Sequence, residues 1–179
     1  MTKRASLVLP LLVLMLTLIV STADSQTSWA VGGRLGISIG SYGGGGSTFN
    51  IYGFPTGSVS TTSAGLQIGP TGEVIFNKQF AIATEFNINT QGGTPIEWAN
   101  SFKVYFPIAG SKIKPYADAG FSLWFITGGP YFGIRGGGGA LFPIANKLYI
   151  PADIQLGPVF ITGGTFFYIA ATSGIRYEF

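Results

Sequence analysis

From Trp29 onward the chain alternates. Between Trp29 and Gly40 one set of alternate positions reads Trp29, Val31, Gly33, Leu35, Ile37 and Ile39. The other reads Ala30, Gly32, Arg34, Gly36, Ser38 and Gly40. A period of two is the mark of a β-strand, whose successive side chains point to opposite faces of the sheet. Seven further segments carry the same pattern, at 62–76, 80–90, 97–107, 112–126, 131–142, 147–157 and 165–179. Most have the length that a tilted strand needs to cross a bilayer, about 9 to 11 residues. In each, one face is aliphatic or aromatic and the other is small or polar.

Composition decides which face turns outward. The 179 residues are 46% hydrophobic and only 9% charged, where soluble domains carry about a quarter charged residues. So few charges do not clothe a water-facing surface. Past the N-terminal leader no apolar run approaches the roughly 20 residues of a membrane-spanning helix. An apolar chain without such helices enters a membrane as a closed barrel, in which strand-to-strand hydrogen bonds satisfy the backbone and no edge is left. The predicted fold is therefore all-β, an eight-stranded antiparallel up-and-down transmembrane β-barrel spanning 24–179. The alternative is a soluble barrel of lipocalin type, with apolar faces inward around a small apolar ligand.

The first 23 residues read as a secretory signal peptide. Lys3 and Arg4 give a positive start, Leu7 to Val20 is apolar apart from Pro10 and Thr17, and Ser21-Thr22-Ala23 supplies the small residues of a cleavage site. Cleavage is expected after Ala23, with Ala30 as a second candidate. The other reading is an uncleaved anchor, for which the run is short.

Two kinds of connection alternate. Asn77-Lys78-Gln79, Ala109-Gly110-Ser111 and Pro143 to Asn146 read as tight turns. The links between them are richer in Gly, Ser and Thr, and the longest, Ser41 to Thr61, contains Gly43-Gly44-Gly45-Gly46. Short periplasmic turns and longer external loops are the usual arrangement, and an even strand count then places both termini in the periplasm. Gly69-Pro70-Thr71-Gly72 interrupts the second segment, because proline donates no ladder bond. We read that segment as one long, bulged strand, since a turn there makes the count odd.

Charges fall on the less apolar face, one for each strand: Arg34, Glu73, Glu85, Lys103, Asp118, Arg135, Asp153 and Arg176. Four are positive and four negative. Buried charges persist when paired and hydrogen-bonded, so this set predicts a polar interior closed by ion pairs. Turn symmetry predicts Lys103 facing Asp118 and Arg135 facing Asp153. Arg34 and Arg176 then approach across the closing seam, with Glu73 and Glu85 reaching over to them. Lys78, Lys112 and Lys147 lie by the short turns, and Lys114 and Glu178 point inward near the rim. Trp29, Phe76, Phe80, Phe106, Phe142, Tyr177 and Phe179 are expected in a lower aromatic girdle. Trp98, Phe125, Phe132, Phe160 and Phe167 are expected in an upper one.

Several chemistries lack their residues. Cysteine and histidine are absent, so disulfides, thiolate metal sites and Ser-His-Asp catalysis have no basis. No metal or cofactor is expected, and the chain is not expected to be an enzyme. Glu73 and Glu85 form the one conceivable acid pair of glycosidase type, but ion pairing is the better reading. Gly136-Gly137-Gly138-Gly139 lacks the Lys-Ser/Thr of a phosphate loop. It reads as room for neighbouring aromatics or as sheet bending. The net charge of +3 forms no basic stripe, so nucleic acid is not an expected partner.

Three stretches carry a family likeness. They are Phe76-Asn77-Lys78-Gln79-Phe80 with Thr84-Glu85-Phe86 and Gln91-Gly92-Gly93, then Lys114-Pro115-Tyr116-Ala117-Asp118-Ala119-Gly120, then the terminal Ser173 to Phe179. Over roughly 27–179 the chain resembles the OmpA/OmpX-type eight-stranded barrels, and within them the PorT-like outer membrane protein β-barrel domain proteins. The likeness implies residence in the bacterial outer membrane. It also implies that Ile175, Tyr177 and Phe179 form the C-terminal signal read by the barrel-assembly machinery. Lipid and that machinery are the expected partners of a monomeric protein. The role expected is structural, assembly or binding, with a side-chain-filled interior; a narrow transport channel is the other option. The first loop is the place for an unknown external partner, or a plain linker.

Overall fold

The computed structural model describes residues 27–44, 60–90, 94–126 and 129–179; the leader with Ala23, most of the first loop, and the segments 91–93 and 127–128 lie outside the described residues. The described chain forms eight strands: β1 (Ser28–Gly44), β2 (Ser60–Phe76), β3 (Phe80–Asn89), β4 (Ile96–Tyr105), β5 (Lys114–Ile126), β6 (Gly129–Ala145), β7 (Leu148–Ile161) and β8 (Gly164–Glu178). Each pairs antiparallel with its neighbours, and β1 pairs with β8, so the sheet closes into a barrel in sequence order. Ala30 to Gly44 face Glu178 to Gly164 along the whole seam. Closure leaves no unpaired edge.

The β2–β3 hairpin shows how local chemistry sets the path. Asn77 and Lys78 both take positive φ, 52° and 57°, and the Gln79 N–H donates to the Phe76 carbonyl at 3.2 Å. This is the pattern of a type I′ turn, whose twist matches that of the strands it joins. Strand β2 continues through Pro70 without a bulge. Ile68 pairs Ile88 and Thr71 pairs Glu85, so no residue is added on either side. Pro70 costs the ladder its own donor but does not break the register. A methyl group on Gly69 would collide with the Phe86 carbonyl oxygen. Glycine is what allows β3 to come that close.

The connections depart from the expected asymmetry. Strands β1 and β2 extend into both ends of the long first link, leaving 45–59 between them. The β5–β6 and β7–β8 links at that same end are only two residues each, while the β4–β5 link at the opposite end runs from Phe106 to Ile113. The first link is the longest, and the β3–β4 link at the same end of the barrel runs over 90–95. The β6–β7 turn is centred on Asn146-Lys147, not on Ile144, with a register shift between Pro143 and Ala145.

The faces are inverted relative to a soluble protein. Ile37, Leu66, Ile82, Phe102, Phe121, Ile134, Ile154 and Ile175 all point outward, each more than 40% exposed. The lumen is layered. Ala30, Ile75, Ala81, Tyr105, Tyr116 and Leu141 pack at the short-turn end, and Trp124, Val159, Tyr168 and Ala170 at the other. The charges lie between these two apolar layers. The lipocalin alternative requires the opposite arrangement, and the structure does not have it.

Candidate functional site: the buried charge network

Alternation brings Arg34, Glu73, Glu85, Lys103, Asp118, Arg135, Asp153 and Arg176, one from each strand in turn, to the inner face. A ninth charge, Glu97 on β4, joins them and is as deeply buried. It shares the parity of Lys103, which is the sequence signal for it. Among the described residues the buried set is thus five carboxylates and four cations, not the balanced four and four.

The network has two connected halves. Near the short-turn end Glu73 is the hub. Lys103 Nζ donates to its Oε1 at 2.5 Å, Tyr105 Oη to its Oε2 at 2.7 Å, and the Arg176 Nε and Nη2 atoms to Oε2 at 3.1 and 3.0 Å. Nearer the middle Glu85 is held between Arg34, at 3.0 Å, and Arg135, at 2.9 Å. Arg34 also reaches Asp153 at 3.3 Å and Arg135 reaches Glu97 at 3.5 Å. Lys103 lies 3.9 Å from Glu85 and links the halves. The apolar layers contribute donors: Tyr116 Oη to Asp153 at 2.9 Å and Tyr168 Oη to Glu97 at 3.3 Å. At the rim Lys114 pairs with Glu178 at 3.2 Å, and Arg176 Nη1 donates to Glu178 at 3.3 Å.

Two expected pairs are not made. Lys103 and Asp118 do face each other in the β4–β5 register, but Lys103 bonds Glu73 and the Asp118 carboxylate accepts from Gln155 Nε2 at 2.8 Å. Arg135 does not face Asp153. Gly139 does, because the turn lies two residues later than symmetry about Ile144 requires. For Lys103, which is in register with Asp118 yet bonds Glu73, the physical reason is curvature. Long side chains pointing into a narrow barrel converge on its axis, so their tips meet partners two or three strands away instead of on the neighbouring strand.

The glycine run on β6 serves this packing. A methyl group on Gly137 would meet the Gln155 side chain at 2.7 Å, and one on Gly139 would meet Asp153 Cβ at 2.5 Å. The space is taken first by the β7 backbone, the Ile154 and Ala152 carbonyl oxygens, and then by these side chains, not by aromatics. Ile175, Tyr177 and Phe179 point outward, and Tyr177 and Phe179 make an edge contact with ring centroids 5.1 Å apart. Glu73 and Glu85 are both engaged by cations on the inner face, Glu73 by Lys103 and Arg176 and Glu85 by Arg34 and Arg135.

The closed, layered, inside-out sheet is an eight-stranded antiparallel β-barrel with the fold of outer-membrane barrels of known structure. Solved structures of that type superpose on it. Neisserial surface protein A matches with a TM-score of 0.62 at 12% identity, over 87% of this chain and 100% of that one. The N-terminal β-barrel domain of Pseudomonas aeruginosa OprF matches with a TM-score of 0.60 at 13% identity, over 86% and 100%. The outer membrane protein AlkL in DMPC lipid bilayers matches with a TM-score of 0.52 at 10% identity, over 87% and 91%. At such identities the likeness is one of fold. No protein-family model matches the chain, and no curated protein matches it. The PorT-like resemblance therefore rests on its three motifs alone.

Proposed function

We propose that the chain is an integral protein of the bacterial outer membrane, a barrel with a sealed lumen that serves as a structural, assembly or binding element and not as a wide pore. The inversion of its two faces carries this reading. Neighbouring residues Asp153 and Ile154 are 5% and 55% exposed respectively, and this contrast repeats on every strand. Exposed aliphatic side chains in such numbers have lipid as their solvent. Eight strands leave an interior that side chains fill, and here ion pairs bridge it at mid-height. The start of β1 and the end of β8 lie at the short-turn end, which we place in the periplasm. The leader would be removed after Ala23, and Ile175, Tyr177 and Phe179 would present the assembly signal. The test is fractionation with heat-modifiable gel mobility, followed by planar-bilayer recording. The protein should be found in the outer membrane, shift on boiling, and give no steady conductance. Recovery as a soluble protein contradicts the location, and a porin-like current contradicts the sealed lumen.

A further inference from the structure

The short-turn mouth of the barrel holds an open-sided cavity of about 1110 Å³, slightly larger than the usual small-ligand site. Its inner wall is apolar and aromatic, built from Ile75, Tyr105, Leu141 and Tyr149. Its rim is basic. Lys78, Lys112 and Lys147 come from three different connections, and Lys114 and Arg176 from strands β5 and β8. Glu178 is the one carboxylate among the described residues lining it. Lys78, Lys112 and Lys147 lie within ion-pair distance of no carboxylate among the described residues. Lys114 Nζ sits 4.6 Å from the Tyr149 ring centroid, so cation and aromatic wall are contiguous.

The opposite end makes the contrast. The connecting segments there, 45–59, 90–95, 127–128 and 162–163, hold no charged residue at all. The uncommitted positive charge among the described residues is gathered at one mouth, around this cavity. Lysines that only touched lipid headgroups would have no need to border such a cavity. The buried charged network lies beneath it and forms the floor of a cup.

We infer that this cup binds a small amphipathic anion, an organic carboxylate with an apolar body, from the short-turn side. The carboxylate would take the place that Glu178 now holds between Lys114 and Arg176, with the exposed lysines adding attraction. The body would lie against Ile75, Tyr105, Leu141 and Tyr149. Glu178 is then an internal competitor for the anion. The inference goes beyond the membrane reading above, and it needs only the closed barrel.

The test uses the full-length mature chain folded into phosphatidylcholine nanodiscs, with octanoate, octanol and inorganic phosphate as probes. Binding is read from chemical-shift changes at Tyr105, Tyr149 and Lys114. Octanoate should saturate these shifts, with octanol and phosphate each at least about tenfold weaker, the scale of one lost charge-assisted contact. Lys114→Gln should weaken octanoate about tenfold, and Glu178→Gln should tighten it. Equal binding of phosphate would show a bare anion site, and equal binding of octanol a bare apolar cleft. Either result overturns the inference, as do shifts that never saturate or an unchanged affinity in Lys114→Gln.

Discussion

At the scale of the residue, Glu73 is the most heavily invested side chain. It accepts from Lys103, Tyr105 and Arg176, all three buried. Removing one member of a buried pair strands the other, which costs about 3 to 5 kcal/mol. Glu73→Gln should therefore destabilise strongly, and adding Lys103→Met should recover part of the loss. Denaturant unfolding from vesicles would give the cycle. The coupling between Glu73 and Lys103 should exceed that between Asp118 and Lys103, although the second pair are register neighbours. A larger Asp118–Lys103 coupling would show that sheet neighbours, not axial convergence, set the partners. This contrast also marks what the sequence does and does not reveal. Parity alone predicts that Arg34 and Glu85 point the same way, because it follows from the two-residue period. Their meeting across the lumen also follows once the narrow radius is considered. The partners of Lys103 and Arg135 do not follow from flat-sheet logic, since cross-strand rules describe a sheet whose side chains stand parallel. Glu97 is equally readable by parity, but a search for one charge per strand stops at Lys103.

At the scale of the element, strand spans are legible in the sequence to within a few residues, because alternation stops at Gly, Pro and Asn. Register is less so. A two-residue error in the β6–β7 turn moves a cross-strand partner by four positions, from Arg135 to Gly139 opposite Asp153. The Gly69-Pro70 step reads as a bulge because proline's missing donor is visible in the sequence and the close approach of β3 is not. That approach yields a paired prediction. Gly69→Ala places a methyl against the Phe86 carbonyl and should cost about 1 to 3 kcal/mol, as overpacking does. Gly33→Ala meets nothing within 4 Å and should be near neutral or stabilising, by reducing the freedom of the unfolded chain. Comparable losses at both sites would mean that β2 and β3 are not so closely apposed. On the outer face of β7, Ile154→Arg should cost about 2 to 4 kcal/mol if it lies near mid-membrane. A neutral Ile154→Arg would mean that this face does not meet lipid.

At the scale of the whole molecule, the one property from which the rest follows is the inversion of inside and outside. Low charge content and the lack of spanning helices make it readable from the order of the amino acids. The chemistry of the individual charges then explains how a polar interior is held together. The three tryptophans report the inversion directly. Trp29 is 59% exposed on the outer face and Trp98 also points outward, while Trp124 is 1% exposed, packed inside against Tyr168. Three variants, each keeping one tryptophan and carrying Trp→Phe at the other two positions, can be folded into vesicles whose acyl chains carry bromine. Fluorescence quenching is then measured for each. The inverted barrel predicts strong quenching when Trp29 or Trp98 remains and little when only Trp124 remains. Strong quenching of Trp124, with Trp29 and Trp98 quenched only by aqueous acrylamide, would contradict it.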